Sequence, residues 1–108
     1  MRLRVAKKVY SQDFSEKEFN KALRKRAVKR PVSGLYVVTE PLFAAGIMEI
    51  YNYNELLQPY YRKKKQSLRV YGIAKNRDEA KKVVADIIDD AYRELGSIDI
   101  KGLFAEDS

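Results

Sequence analysis

The pattern of apolar and polar positions is most regular between residues 76 and 96. Asn76 can cap the first free amide groups of a helix, with Glu79 three residues on to complete a capping box, and Gly96 can adopt the left-handed conformation that ends one. The apolar residues between them recur at three- and four-residue spacing, which places them on one stripe of a helix: Ala80, Val83, Val84, Ile87, Ile88, Ala91, Tyr92 and Leu95. The pattern therefore predicts a helix from Arg77 to Leu95.

Short apolar runs flank this helix and predict strands, because they are rich in β-branched and bulky residues. The first run contains Leu68, Val70, Tyr71 and Ile73, and the second contains Ile98, Ile100 and Leu103. A strand, a helix and a strand joined by short connections usually lie parallel in one sheet with a right-handed crossover. We expect that arrangement for residues 68–103.

The amino-terminal part predicts one strand and one basic helix. Leu3, Val5 and Val9 predict a strand over residues 2–10, in which Lys7 indicates a bulge or an edge position. Ser15 and Glu18 form a helix-start signal, and Pro31 ends the helix that follows. Its exposed side is strongly cationic.

The middle of the chain predicts two more strands and a turn. Residues 35–39 are apolar on both sides, as in a central strand. Residues 46–53 place Met48 and Ile50 on one face of a strand and Glu49, Tyr51 and Tyr53 on the other. Residues 54–58 predict one helical turn closed by Pro59.

Together these elements predict an α+β fold in the order β-α-β-β-β-α-β. We expect a single domain over residues 1–104, followed by a short acidic tail at 105–108. The sheet is predicted to be mixed, largely antiparallel and of about five strands, with two long helices on one face. The other face of the sheet would then have no helix on it. Two alternatives remain for that face, a symmetric dimer through the sheet and a ligand-binding surface. The aromatic residues expected there are Tyr36, Tyr51, Tyr53 and Tyr71.

The composition excludes several classes of chemistry. The chain contains no cysteine and no histidine, so disulfides, thiol nucleophiles and almost all zinc, copper, haem and iron–sulfur sites are ruled out. We expect no metal and no cofactor. The longest mostly apolar run, residues 41–50, is too short to span a hydrocarbon core of about 30 Å. Without a continuous apolar leader at the amino terminus, we expect a cytoplasmic location.

The net charge of +7 is unevenly distributed. Residues 1–30 hold eleven Lys and Arg against three acids, and residues 61–75 hold six against none. Two separate basic blocks suit a polyanionic partner, nucleic acid first and an acidic protein or membrane surface second. A solvated basic face that keeps the protein in solution is the alternative.

The candidate polyanion-binding residues come from both basic blocks. Aromatic rings beside cations are the materials of single-strand binding, because rings stack on bases while Arg and Lys neutralise phosphates. The candidates are Arg24, Lys25, Lys29 and Arg30 in the predicted helix, and Tyr60, Tyr61, Arg62, Lys63, Lys64 and Lys65 in the second block. Tyr60 and Tyr61 can equally be residues at the rim of the core.

Two further groups have simpler structural explanations. Lys75 and Arg77 could hold a phosphate at the start of the long helix, but Asp78 and Glu79 already occupy that position. A carboxylate cluster on the polar side of the same helix is better explained as a solvated face balanced by Arg93 than as a cation site. It comprises Asp86, Asp89, Asp90 and Glu94.

About residues 46–104 resemble a group of small uncharacterised bacterial proteins. The resemblance is carried by the segments GIMEIYNYNELLQPYYRKKK, VYGIAKNRDEA and DAYRELGSIDIKGLF. It implies a strand, an ELLQP-like turn, a strand and a capped helix that ends in glycine. It implies no activity.

We therefore predict a non-catalytic binding or regulatory module that contacts nucleic acid or another polyanion. One alternative is a protein-interaction subunit that forms a homodimer through its sheet face or meets an acidic protein, with solvated basic blocks. A less favoured alternative is a small basic ribonuclease in which Glu49 acts as the base.

Overall fold

The structure is a computed structural model that describes residues 2–11, 34–41, 46–58 and 67–105. These residues form the strands β1 (Arg2–Ser11), β2 (Tyr36–Thr39), β3 (Glu49–Asn52) and β4 (Ser67–Ala74), a 3₁₀ helix (Tyr53–Leu57), and the helices α1 (Arg77–Leu95) and α2 (Ile100–Leu103). The predicted basic helix lies outside the described residues, and so does the acidic tail after Ala105. No described helix is both long and apolar enough to cross a membrane.

The four described strands form one mixed sheet in the order β1-β4-β2-β3. β1 runs parallel to β4, whereas β2 is antiparallel to both β4 and β3. The sheet and the long helix α1 confirm the predicted α+β class. The central position predicted for residues 35–39 is also confirmed, since β2 has a hydrogen-bonded neighbour on each side.

Among the described strands, β1 lies at one edge of the sheet, and its pairing with β4 is irregular. Its register shifts between Val5 and Tyr10, because five steps along β1 correspond to only two along β4, from Val70 to Gly72. Lys7 lies within this interval of an edge strand, as its position in the sequence pattern predicts.

α1 follows the sequence prediction in its bounds and in its caps at Asn76 and Gly96, but the Glu79 side chain contacts Lys82 and does not complete the predicted capping box. The Asn76 side chain accepts a hydrogen bond from the Glu79 backbone N–H at 2.8 Å. Gly96 ends the helix with φ +71°, and its N–H donates to the Tyr92 carbonyl. The Glu79 carboxylate contacts the Lys82 ammonium at 3.1 Å, which places it beside a helical cation one turn away.

The strand predicted over Ile98, Ile100 and Leu103 is wrong, because this segment forms the short helix α2. Asp99 caps that helix by accepting the Gly102 N–H at 2.9 Å. Ile100 and Phe104 are then one turn apart and both buried. The parallel neighbour of β4 is β1, so the strand–helix–strand unit predicted for residues 68–103 is not formed.

Buried side chains cover both faces of the sheet. One layer joins the sheet to the buried stripe of α1, and it includes Val38, Tyr71, Ala80, Val83 and Ile87. The second layer lies on the opposite face and includes Leu3, Val37, Tyr51, Tyr53 and Val70. The expectation that four tyrosines share the helix-free face is wrong, since Tyr36 and Tyr71 belong to the α1 side. Side chains alternate between the two faces of the sheet along β2, and the bulge in β4 shifts that alternation, so the tyrosines are divided between the faces.

Candidate polyanion-binding end of the sheet

The strand register defines two ends of the sheet. Ser11, Tyr36, Asn52 and Ala74 lie at one end, where β4 leads into α1, and we call it the helix-start end. At the opposite, helix-stop end, Arg2 is paired with Ser67, and Thr39 is paired with Glu49. The two ends differ in chemistry.

Arg77 is the best-placed described cation at the helix-start end. Its guanidinium carbon lies 5.7 Å from the centroid of the Tyr36 ring, within the range of a cation–π contact. One of its nitrogens lies 4.0 Å from Glu55 Oε1, and the Arg77 side chain is 53% exposed. Arg77 is therefore positioned by an aromatic face and a carboxylate while part of it still faces solvent.

The local sequence explains why these groups meet. Asn52 caps the 3₁₀ helix through Asn54, and the Glu55 carboxylate returns to the Asn52 N–H at 3.1 Å. This capping box fixes Glu55 near the start of α1. The exposed residue Lys75 precedes the Asn76 cap, so two cations flank the first turn of the helix.

The ten candidate polyanion-binding residues lie outside the described part of the chain. They are Arg24, Lys25, Lys29, Arg30, Tyr60, Tyr61, Arg62, Lys63, Lys64 and Lys65. The structure places their flanking residues. Ser11 and Gly34 border the segment 12–33, and Gln58 and Ser67 border the segment 59–66.

Three of these four flanking residues lie at the helix-start end. Ser11 is paired there with Ile73. Gly34, which precedes β2, lies next to the residue that follows β4, since a Cβ added to Gly34 would be 3.8 Å from the Lys75 carbonyl oxygen. Gln58 caps the 3₁₀ helix that carries Glu55. Ser67, in contrast, is paired with Arg2 at the helix-stop end.

The helix-stop end is built around Glu40. Glu40 Oε1 accepts the Arg69 backbone N–H at 2.9 Å and lies 3.5 Å from an Arg4 nitrogen. The Arg69 side chain donates to the Phe104 carbonyl at 2.6 Å, which ties the residue after α2 to β4. Tyr71 stacks on Phe104 with ring centroids 4.4 Å apart. Burial, and then the charge of Glu40, raise the pKa of Tyr71 above its ordinary range.

Sequence reasoning missed the Glu40 cluster. Its members are Arg4, Glu40, Arg69 and Tyr71, which belong to three different strands or strand ends. No motif links residues so far apart in sequence, and only the pairing of β4 with β1 and β2 brings them together.

The carboxylates on the polar side of α1 are balanced largely within the helix. Arg93 contacts Asp89 at 3.0 Å and Asp90 at 2.5 Å, as the solvated-face interpretation predicts. Among the described residues, no group of three or more acids has the arrangement needed to hold a metal ion. Glu49, the residue considered as a ribonuclease base, accepts a hydrogen bond from the Tyr51 hydroxyl on the edge strand β3.

Comparison with known proteins gave no match: no family model, curated sequence or solved structure is significantly similar to this chain. The resemblance to small bacterial proteins therefore stays a prediction, and any function has to be argued from the residues themselves.

Proposed function

We propose that the protein is a small, non-catalytic intracellular binding or regulatory module that contacts a polyanion, nucleic acid first. The contact would use Arg24, Lys25, Lys29, Arg30 and the segment from Tyr60 to Lys65. The observation that carries this proposal is that three of the four residues that border the two basic segments lie at the helix-start end, where Arg77 and Lys75 also lie, while the fourth, Ser67, lies at the helix-stop end.

Sequence distance limits how far the candidate residues can lie from that end. Arg30 is four residues from Gly34, and Tyr60 is two residues from Gln58. A fully extended chain spans about 3.5 Å per residue, so these two residues lie within about 14 Å and about 7 Å of their anchors. One oligonucleotide can therefore contact both segments.

The charge balance also favours a localised contact. Segments 12–33 and 59–66 together hold eleven of the 22 Lys and Arg residues and three of the 15 acids. The described segments hold the other eleven cations and ten acids, so they are nearly neutral. Most of the net positive charge therefore belongs to the two segments that would make the contact, and cations concentrated in this way attract phosphates more strongly than scattered ones do.

A matched pair of variants tests this assignment. The first changes Lys63, Lys64 and Lys65 to glutamine, and the control changes Lys81, Lys82 and Lys101 to glutamine. Both remove three positive charges, but the control residues are exposed positions on α1 and α2. Fluorescence anisotropy of labelled oligonucleotides should show weaker binding for the first variant, by about tenfold or more at low salt. The control should bind nearly as well as the unaltered protein. Equal losses in both variants would mean that only net charge matters and would remove the assignment.

A second candidate function is a protein-interaction subunit. Among the residues that the structure describes, four large apolar side chains are exposed: Ile47, Tyr92, Leu95 and Ile98. They favour a contact near the end of α1 over one through the sheet, because Tyr51, Tyr53 and Tyr71 are already buried within a single chain. Sedimentation analysis across protein concentrations would detect self-association, and a Tyr92→Ser, Leu95→Ser variant should reduce it.

A further inference from the structure

A cavity of about 380 Å³ opens at the helix-stop end of the α1 side. Its lining combines one end of β2, the segment before β3, the middle of β4 and the start of α2. The lining residues are Glu40, Pro41, Gly46, Ile47, Tyr71, Ile98, Asp99, Ile100 and Lys101. The volume lies in the range of small-molecule sites, and convergent polar groups at an apolar wall are their usual composition.

Glu40 is held in place through one of its two carboxylate oxygens, Oε1. The Arg69 N–H and the Arg4 side chain both contact Oε1, at 2.9 and 3.5 Å. Within the described part of the chain, Oε2 has no partner. The side chain is 24% exposed and lines the cavity, so a ligand in the cavity can reach the carboxylate. A fixed carboxylate oxygen at a cavity wall is an acceptor for an ammonium group.

Tyr71 supplies a second uncommitted polar group. The residue is 2% exposed, and its ring is fixed by stacking on Phe104. Its hydroxyl forms no hydrogen bond to the residues that the structure describes. A buried hydroxyl without a partner is destabilising, so a ligand that forms a hydrogen bond with it gains affinity.

The apolar wall is incompletely covered. Ile100 is buried, but Ile47 is 45% exposed and Ile98 is 39% exposed. An apolar group of about four or five carbons placed between them would remove apolar surface from water, which favours binding. The cavity therefore accommodates an apolar body as well as polar groups.

The charges around the cavity favour a zwitterion over a simple cation. Glu40 and Asp99 supply two carboxylates, whereas Arg4, Arg69 and Lys101 supply three cations. Asp99 is already used as the cap of α2. Lys101 is exposed, and no described residue forms an ion pair with it. A ligand that brings both an ammonium and a carboxylate would match Glu40 and Lys101 at once.

We propose that this cavity binds a free α-amino acid with an apolar side chain. The ammonium would contact Glu40 Oε2, the Tyr71 hydroxyl would bond to a polar group of the ligand, and the carboxylate would face Lys101. The side chain would lie between Ile47 and Ile98. This inference does not rest on polyanion binding, because none of the residues that line the cavity belongs to the two basic segments.

Three matched probes test each part of the ligand. Leucine has all three groups, 3-methylbutylamine lacks the carboxylate, and 4-methylpentanoate lacks the ammonium. Titrations of the full chain followed by amide chemical shifts should show leucine binding with a millimolar or tighter Kd and shifts at Ile47, Ile98 and Lys101. Both other probes should bind at least about fivefold more weakly, because each leaves one charged group unpaired.

Variants connect that binding to the proposed groups. Glu40→Gln keeps an oxygen that can accept the Arg69 N–H but removes the charge, so it should weaken leucine binding about tenfold while the fold is retained. Glu94→Gln is the control, because Glu94 is an exposed acid outside the cavity. Lys101→Gln should make leucine and 3-methylbutylamine bind equally. The proposal is overturned if about 10 mM leucine causes no shifts, if all three probes bind alike, or if Glu40→Gln and Glu94→Gln have equal effects.

Discussion

The Tyr10 hydroxyl donates a hydrogen bond to Asp90 Oδ2 at 2.5 Å, across 80 residues of sequence. Tyr10 is near the end of the edge strand β1, and Asp90 is on the polar side of α1. The Tyr10 ring also meets Phe104 edge-on, with centroids 5.8 Å apart. One side chain therefore holds the edge strand, the long helix and the residue after α2 together.

Replacing Tyr10 with phenylalanine should destabilise the protein by about 1–2 kcal/mol. The variant keeps the ring that packs on Phe104 and loses the hydrogen bond to the Asp90 carboxylate. Hydrogen bonds to charged groups contribute about 1.5–3 kcal/mol, and this one is expected at the low end because it is only partly buried. Asp90 would keep its contact with Arg93, so no unpaired charge would be left. Urea unfolding at neutral pH measures the change in the free energy of unfolding.

Tyr92→Phe is the matched control, because Tyr92 is on the same helix and is 53% exposed. Its effect should stay within about 0.5 kcal/mol. If the two substitutions cost the same, Tyr10 does not fasten β1 to α1 through its hydroxyl.

The bounds of α1 were predictable because local signals agree. Asn76, the apolar stripe and Gly96 each specify the same helix without reference to the rest of the chain. Ile98–Leu103 lacked such agreement. Its apolar residues fit a strand period and a helical turn equally well, and the Asp99 cap together with the burial of Ile100 and Phe104 decides for the helix.

The two candidate sites also differ in how far the sequence alone could predict them. Runs of cations and tyrosines are visible in the sequence, so the polyanion hypothesis could be made from it. The Glu40 cluster could not be predicted, because strand order brings Arg4, Glu40 and Tyr71 together, and no local signal specifies that β4 lies between β1 and β2. Long-range pairing of this kind is the part of a fold that local patterns determine least.

Gly72 should be intolerant of a side chain. A Cβ at this position would lie 2.4 Å from Val83 Cγ1 and 3.1 Å from the Tyr10 carbonyl oxygen. Gly72→Ala should therefore destabilise the protein by about 1–3 kcal/mol, because α1 would have to move away from β4.

Adding Val83→Ala to that variant separates crowding from other causes. Val83→Ala alone removes buried methyl groups and should cost about 1–3 kcal/mol. The double variant should be more stable than the sum of the two losses predicts, since the alanine at 83 makes room for the one at 72. Simple additivity in urea unfolding would show that contact with Val83 is not the reason for glycine at this position.

The stability of the protein should fall as the pH rises above about 10. Burial, the hydrogen bond to Asp90 and the nearby charges of Asp90 and Glu94 raise the pKa of Tyr10 in the folded state. Burial also raises the pKa of Tyr53 and Tyr71. Below the unfolded pKa both states keep the phenol proton. Above it the unfolded chain loses that proton first, so unfolding becomes more favourable until the folded pKa is reached.

A variant with Tyr10→Phe and Tyr71→Phe isolates this contribution from the titration of lysines. Between about pH 9 and about pH 11 the unaltered protein should lose more stability than the variant does, each relative to its own value at about pH 8. Identical slopes of the free energy of unfolding against pH would show that these two phenols titrate normally.

The most direct test of the polyanion proposal is the salt dependence of oligonucleotide binding, measured by fluorescence anisotropy with single- and double-stranded probes. We predict micromolar or tighter binding at low salt, which falls steeply as salt increases because bound counterions are released from the phosphates. Glutamine at Arg24, Lys25, Lys29 and Arg30 should flatten the slope of log K against log salt by up to about one unit for each phosphate contact removed. Absence of binding to either probe at low salt would contradict the proposal and make both basic segments solvated surface.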